Sequence, residues 1–543
     1  MNCKIKIVFL IFVLFQGISF PQVKIDLTVA HKTKNLSFGL KQEVLADKPE
    51  IALALSGGGA RGLAQIGVLH ALLEAGIRPD IIAGTSMGSI IGGLYAAGYS
   101  INQLDSIAIN TNWNNLLAIE KQTDRRDLFV DQKVSEDKAV FVLRLNGLSP
   151  VLPTALNNGM FIMNFLNLLT LNAPIHAHGN FDNLRTKFLA VCTNLVTGEP
   201  AILRNGYLSQ AMRASSSVSF FLSPVDIDSL TLVDGGLVAN VPVEIAKESG
   251  GGFIIAVNTT SDLHSKSELQ YPWYVADQVV SIPMKKLNED QLKEANFVIV
   301  PKLDDHQSTD FKNIDSLILI GYLAAKPLVQ EIKNQLDSLT LKRYDLKDNW
   351  VKNILSNDNS DSIEEKYIRV YSFMDSVSTN RIQSDLDNIF SSGNYKSVSA
   401  EIIQYDKYAK VKFNLDPNPE IKKINCVGNT LISDSAINNL FNDVLYKPYN
   451  AADVEEKLIS IMDKYREVGN FAAGIDSVSF DREMGVLNID INEGKISGLL
   501  VEGNENTDDE IIKREFPPVN DEVLSYEEIE KALINLRSTN LFD

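Results

Sequence analysis

Cysteine is scarce: the chain has three in 543 residues. Cys3 precedes an apolar run at the N-terminus, where it is not placed for lipid attachment, and Cys192 and Cys426 fall in what read as separate domains. Two cysteines make no disulfide framework and no Cys/His spacing has the form of a zinc site, so neither a metal nor another cofactor is expected. Basic charge is short as well. Lys and Arg number 51 against 69 Asp and Glu, a net charge of −18. That excludes a nucleic-acid partner, since phosphate neutralisation needs clustered cations. It also argues against electrostatic docking on anionic lipid, so any membrane contact has to rest on apolar surface. Past the N-terminus, no run approaches the roughly 20 apolar residues of a membrane-spanning helix.

What is present is the composition of a folded globular protein, 45% apolar and 22% charged, with length for roughly three to four folding units. Lys4 and Lys6 precede an apolar run over residues 7–15, followed by Gly17 and Ser19. This reads as a signal peptide over residues 1–20, and hence export. An N-terminal extension over 21–49 leads into the first domain.

From 50 to 345 short apolar runs alternate with helical patterns. Residues 51–55 end in glycines, a helix runs from Gly62 to about Ala75, a second apolar run covers 80–83, and a helix begins near Ser89. Strand, helix, strand at this spacing is a βαβ unit, which implies a parallel sheet covered on both faces. Runs at 188–191, 230–233, 253–257 and 297–300 are expected to extend that sheet. The linker, 346–365, is rich in Asn, Asp and Ser.

After the linker comes a repeat of about 75 residues: Ile421-Lys-Lys-Ile-Asn-Cys-Val-Gly-Asn429 aligns on Ile496-Ser-Gly-Leu-Leu-Val-Glu-Gly-Asn504 without gaps. The complete copy spans 418–495, and an incomplete one, 496–543, stops after its second helix. A degenerate earlier copy, 366–417, places Ile382, Leu386 and Ile389 at the same helical spacing. Each copy reads strand, Gly-Asn turn, two helices, two strands.

Three segments carry chemistry. Gly84-Thr85-Ser86-Met87-Gly88 has the nucleophile-elbow form, with a strand before and a helix after. Its glycines give a strained turn room, and the helix N-terminus favours developing negative charge near Ser86. Gly57, Gly58 and Gly59, with Ala60, Arg61 and Gly62 behind them, leave backbone N–H groups free to face a reacting oxygen. The same residues satisfy the dinucleotide fingerprint, but that fingerprint needs an acidic residue at the end of the second strand. Here the strand runs into the serine elbow, with Asp80 at its wrong end. The third segment is Asp234-Gly235-Gly236: a strand-ending carboxylate on the same edge as the elbow is a candidate general base. A Ser-Asp-His triad is the rival, with His264 and His306 the only histidines after Asp234. His70, His176 and His178 read as structural. The helix expected at 160–171 has a wide apolar face, fit either for core packing or for the wall of an acyl-chain site.

These motifs, in this order, resemble the three signatures of patatin-like phospholipases. Residues 211–218 and 238–242 resemble the family too, and the likeness runs from about Ile51 to Val257. It departs at Ser219, where the family's proline would stand, which implies a looser loop. The resemblance implies an α/β fold of three layers, α/β/α. It also implies Ser86 as nucleophile, Asp234 as base, Gly57, Gly58 and Gly59 as oxyanion hole, and Arg61, Gly62, Gly84, Gly88, Gly235 and Gly236 in support. The repeats resemble POTRA domains, small α+β modules that precede outer-membrane β-barrels. No barrel series of alternating segments is visible in the chain.

Two function classes follow. One is an exported lipid acyl hydrolase of the phospholipase A or lipase type at the bacterial outer membrane, its partners a phospholipid or other lipid ester and a downstream barrel or barrel-assembly protein. The other is a binding or assembly module whose hydrolase-like domain is silent.

Overall fold

The computed structural model describes residues 23–46, 48–117, 144–146, 149–151, 155, 157–270, 272–304, 306–343, 350–351, 354–357, 377–404, 409–495, 498–504, 507–516 and 526–538. The expected signal peptide, with Cys3, lies outside them, as does most of the Asn/Asp/Ser-rich linker. No helix among the described residues is long and apolar enough to cross a membrane.

The first domain is built on an eight-stranded sheet. Its centre is five parallel strands, in spatial order Lys187–Asn194, Ile81–Thr85, Ile51–Leu55, Phe253–Val257 and Phe297–Ile299. The middle three are buried at every position, as a sheet covered on both faces requires. Alternation sorts their side chains. Leu53, Leu55, Ile82 and Ile255 pack with the helices Ala64–Glu74 and Met87–Ala96 on one face. Ala54, Ile81, Ala83 and Ile254 meet the helix Val243–Glu248 on the other. Two clusters on opposite faces of one sheet give the three layers.

One strand departs from the expected sense. Leu230–Asp234 pairs antiparallel with Lys187–Asn194, with Asp234 opposite Cys192, so the sheet is mixed at this edge. Asp234 does not reach the elbow's level by ending a parallel strand. Lys187–Asn194 overruns its parallel neighbour, which stops pairing at Thr85 opposite Val191. The antiparallel strand enters beyond that overrun and descends to Asp234.

The α+β units follow. Asn429 Nδ2 donates to Ile432 O at 2.9 Å and to Asp434 Oδ1 at 2.7 Å. Asn504 repeats both bonds, to Thr507 O and Asp509 Oδ1, each at 2.7 Å. In the complete unit Lys423–Val427 runs parallel to Val486–Asn492, which pairs antiparallel with Gly474–Asp481. The earlier unit has an additional strand. Val23–Thr28, N-terminal to the whole hydrolase-like domain, pairs antiparallel with Tyr395–Gln404 from Val23 opposite Gln404 to Thr28 opposite Ser399. Leu27 joins its core beside Ile382, Leu386 and Ile402. The first domain is therefore inserted into the sheet of this unit. Deleting residues 23–28 bares a sheet edge and opens that core. Amide exchange over 395–404 is expected to accelerate at least tenfold, and unchanged protection there would contradict the pairing.

The helix Ala451–Glu467 seats the complete unit on the first domain. Ile459 enters the main core, Glu456 accepts from Arg78 at 2.7 Å and also from Arg185, and Arg466 donates to Ala173 O at 3.1 Å.

Candidate active site

Ser86 follows the strand Ile81–Thr85 and caps the helix Met87–Ala96. Its backbone lies at φ 53°, ψ −123°, a region that costs a residue with a side chain about 1–3 kcal/mol. Neighbours hold it there. Its N–H donates to Ser215 Oγ at 3.1 Å, and Ser215 Oγ donates onward to Val191 O at 2.6 Å. The Ser86 carbonyl accepts from the Ser89 and Ile90 amides at 2.9 and 3.2 Å. Packing leaves no space for side chains alongside: a Cβ at Gly84 would stand 2.5 Å from Gly88 O, and one at Gly88 2.5 Å from Leu55 O.

Asp234 is set beside it by three bonds. Thr193 Oγ1 donates to its carbonyl at 2.8 Å, its N–H donates to Ser217 O at 2.9 Å, and Oδ1 accepts from Gly236 N–H at 2.7 Å. Ser217 is held in turn by Arg213, whose guanidinium bonds Ser217 Oγ and donates to Ser223 O at 3.1 Å. Burial pushes the Arg213 pKa down to about 10. Gly235 passes so close to the neighbouring strand that a Cβ would lie 2.2 Å from Val191 O.

Asp234 Oδ2 is buried and accepts no fully formed hydrogen bond among the described residues. Burial pushes the carboxyl up to about 6, against the opposing pull of the Ser86 hydroxyl and the Gly236 amide. A carboxylate with a neighbouring hydroxyl, a spare acceptor lone pair and a raised pKa is equipped to take that hydroxyl's proton near neutral pH.

No histidine is among the described groups acting on Asp234. His264 packs on Tyr274, ring centroids 4.8 Å apart, and His306 Nε2 bonds Asp310 O at 2.6 Å. Asp80, the acid a dinucleotide site would need elsewhere, sits at the opposite edge and accepts the Ile51 N–H at 2.9 Å.

The glycine loop approaches Ser86 from the adjacent strand. A Cβ at Gly57 would fall 3.2 Å from Ser86 Cβ and 2.4 Å from Asn240 Oδ1. The Gly57 N–H is already engaged, donating to both Asn240 O and Asn240 Oδ1 at 3.1 Å. The Gly58 and Gly59 amides have no such acceptor among the described residues. Of the three glycines expected to bind an oxyanion, these two therefore have amides to offer, while Gly57 gives space. Arg61 locks the loop from behind. Its buried guanidinium donates to four carbonyls, of Thr259 (3.1 Å), Thr260 (3.2 Å), Asp304 (3.1 Å) and His306 (2.9 Å). Burial lowers its pKa, with Asp262 and Asp304 opposing.

Asn240, Ser215 and Thr193 are the supports sequence reading did not assign. Asn240 and Ser215 lay inside segments noted for their likeness, but nothing in one chain tells a loop Asn or Ser that grips a backbone amide from one that faces water. The helix Met160–Leu171 turns Ile162 and Leu166 into the main core, which favours its core-packing reading. The large open cavity of about 1440 Å³ lies elsewhere, between the N-terminal hairpin, the first domain and the α+β units, and neither Ser86 nor Asp234 lines it.

Comparison with known proteins matches these regions. Residues 53–247 fit the family model "Patatin-like phospholipase", and 419–494 fit the POTRA model "Surface antigen variable number repeat". The chain is 26% identical over 299 residues to patatin-like phospholipase domain-containing protein 7 of Rattus norvegicus, covering 50% of this chain and 20% of the rat protein. It is 29% identical over 211 residues to lysophospholipase NTE1 of Scheffersomyces stipitis, covering 39% of this chain and 12% of the yeast protein. It thus spans a fifth or less of the length of these relatives. Among solved structures, the N-terminal domain of Omp85 from Thermosynechococcus elongatus is similar at 18% identity and a TM-score of 0.29, covering 37% of this chain and 89% of that one. The chain carries a patatin-like phospholipase domain followed by a POTRA domain.

Proposed function

We propose that the first domain is a serine lipid acyl hydrolase, of the phospholipase A or lipase type, working through Ser86 and Asp234 without a cofactor. Asp234 accepts the Ser86 proton as Oγ attacks the ester carbonyl, and the Gly58 and Gly59 amides take the charge that develops on its oxygen. Asp234 then returns the proton to the leaving alcohol. Water, deprotonated by the same carboxylate, attacks the acyl carbonyl; the bond to Ser86 Oγ breaks, Asp234 returns the proton to Oγ, and the fatty acid leaves. The observation that carries this reading is the pairing of a strained, amide-held Ser86 with a buried carboxyl raised to about 6. The names of the relatives, a phospholipase-domain protein and a lysophospholipase, support lipid ester as the substrate class.

The N-terminal apolar run behind two lysines and the POTRA domain support export to the bacterial outer membrane, with a β-barrel or barrel-assembly partner. The test of the chemistry is covalent trapping. An alkyl fluorophosphonate is expected to add one phosphonyl group to the intact protein, at Ser86, and none to Ser86→Ala. Labelling of Ser86→Ala to the same extent would remove Ser86 as nucleophile.

A further inference from the structure

Several of the large apolar side chains that the first domain leaves in water lie on the edge where Ser86 sits. Leu195 and Val196, 51% and 80% exposed, form the turn just past Lys187–Asn194. Phe220, at 84% exposure, tips the loop that starts at Ser217, whose carbonyl takes the Asp234 amide. The helix Pro272–Lys293 follows the loop leaving the strand Phe253–Val257, packs on the short helix Gly236–Ala239, and brings Met284 Cε within 3.4 Å of a Cβ built on Gly236. Val275, Val279 and Ile282, spaced i, i+4, i+7, form one stripe along this helix and are 45%, 64% and 52% exposed.

Clustered exposure of this kind marks an interaction surface. Its occupant follows from charge and position. A chain of net charge −18 is repelled by anionic membranes, and the stripe consists of valine and isoleucine, so attraction has to come from removing apolar area from water. The patch also lies on the same sheet edge as the nucleophile, with Met284 of the stripe's helix beside Gly236, where a protein partner would crowd the approach of substrate. We propose that Phe220 and the Val275-Val279-Ile282 stripe dock the enzyme on the surface of a zwitterionic phospholipid bilayer, placing Ser86 at the lipid–water boundary. This rests on the lipid hydrolase reading.

Binding can be measured without turnover. The full chain carrying Ser86→Ala is sedimented with phosphatidylcholine vesicles, alone and with Phe220→Asn or Val279→Gln plus Ile282→Gln. Asparagine suits the left-handed backbone of Phe220 (φ 68°), and glutamine is a better helix former than valine or isoleucine, so folding is preserved. The expected result is binding insensitive to 0.5 M salt and weakened about tenfold or more by either change. In the active background, turnover of a soluble short-chain ester stays unchanged. Equal sedimentation of all variants, no binding by Ser86→Ala itself, or loss of soluble-ester turnover in the patch variants would each overturn the proposal. So would a patch variant that turns a dimer into a monomer without changing vesicle binding, since the face would then join two copies. Failure of the hydrolase reading shows differently, as no ester turnover by the unmodified protein.

Discussion

Asp234→Asn is expected to lower ester turnover by about 10³-fold or more while making the protein more stable at pH 8. Both effects come from one carboxyl. Turnover falls because an amide cannot take the Ser86 proton, and losses of this size are usual when a catalytic base is removed. Stability rises because the native carboxyl is raised, from 3.8 to about 6, by burial. A raised acid binds its proton more tightly in the folded state. Its contribution is fully present below the unfolded pKa and is lost as pH climbs through the folded one. The loss at pH 8 is about 3 kcal/mol, and asparagine, which does not ionise, escapes it. The stability gap between Asp234→Asn and wild type should therefore open between about pH 4 and 7 and stay level above. Denaturant unfolding at pH 4 and pH 8 measures this, and an equal gap at both would contradict the burial account. The same ionisation governs rate: kcat/KM of wild type should rise through about pH 6 to a plateau. A falling limb there would mean that the working form is the protonated one.

Arg61→Ala is the second large change. Its guanidinium serves four carbonyls in the two segments that back the glycine loop. Truncation leaves those buried and part-buried carbonyls without their donor, at a cost of about 3 kcal/mol, or a melting temperature lower by roughly 5 °C for a domain of about 300 residues. Arg61→Lys should recover only part, because an ammonium has three donors and no planar fork. Turnover should fall with the loop, since Gly58 and Gly59 are set by the backbone Arg61 holds. A melting temperature unchanged in Arg61→Ala would show that the loop is fixed by other contacts.

The motifs were legible in the sequence because each is a backbone demand written in residue type. Gly84 and Gly88 flank a serine at positive φ with no space for a Cβ, and Gly235 grazes a neighbouring carbonyl. Only glycine answers either demand, so the pattern shows in one chain. The repeat was legible for the same reason, through Gly428-Asn429 and Gly503-Asn504. Direction and partnership were not. The run 230–233 is equally apolar whether it pairs parallel or antiparallel, so nothing local marks its reversal. Residues 23–28 alternate as a strand, but their partner stands some 370 positions later, beyond a whole domain. The Asn240 grip on Gly57 is also a long-range contact, invisible until the strands are assembled.

The central claim is that two residues, without histidine, carry the hydrolysis. Its most direct test is turnover of medium-chain esters and phospholipids by wild type, Ser86→Ala, Asp234→Asn and His264→Ala side by side. Activity is expected in wild type and His264→Ala, and none above background in the other two. Loss of activity in His264→Ala equal to that in Ser86→Ala, or full activity in Asp234→Asn, would contradict it.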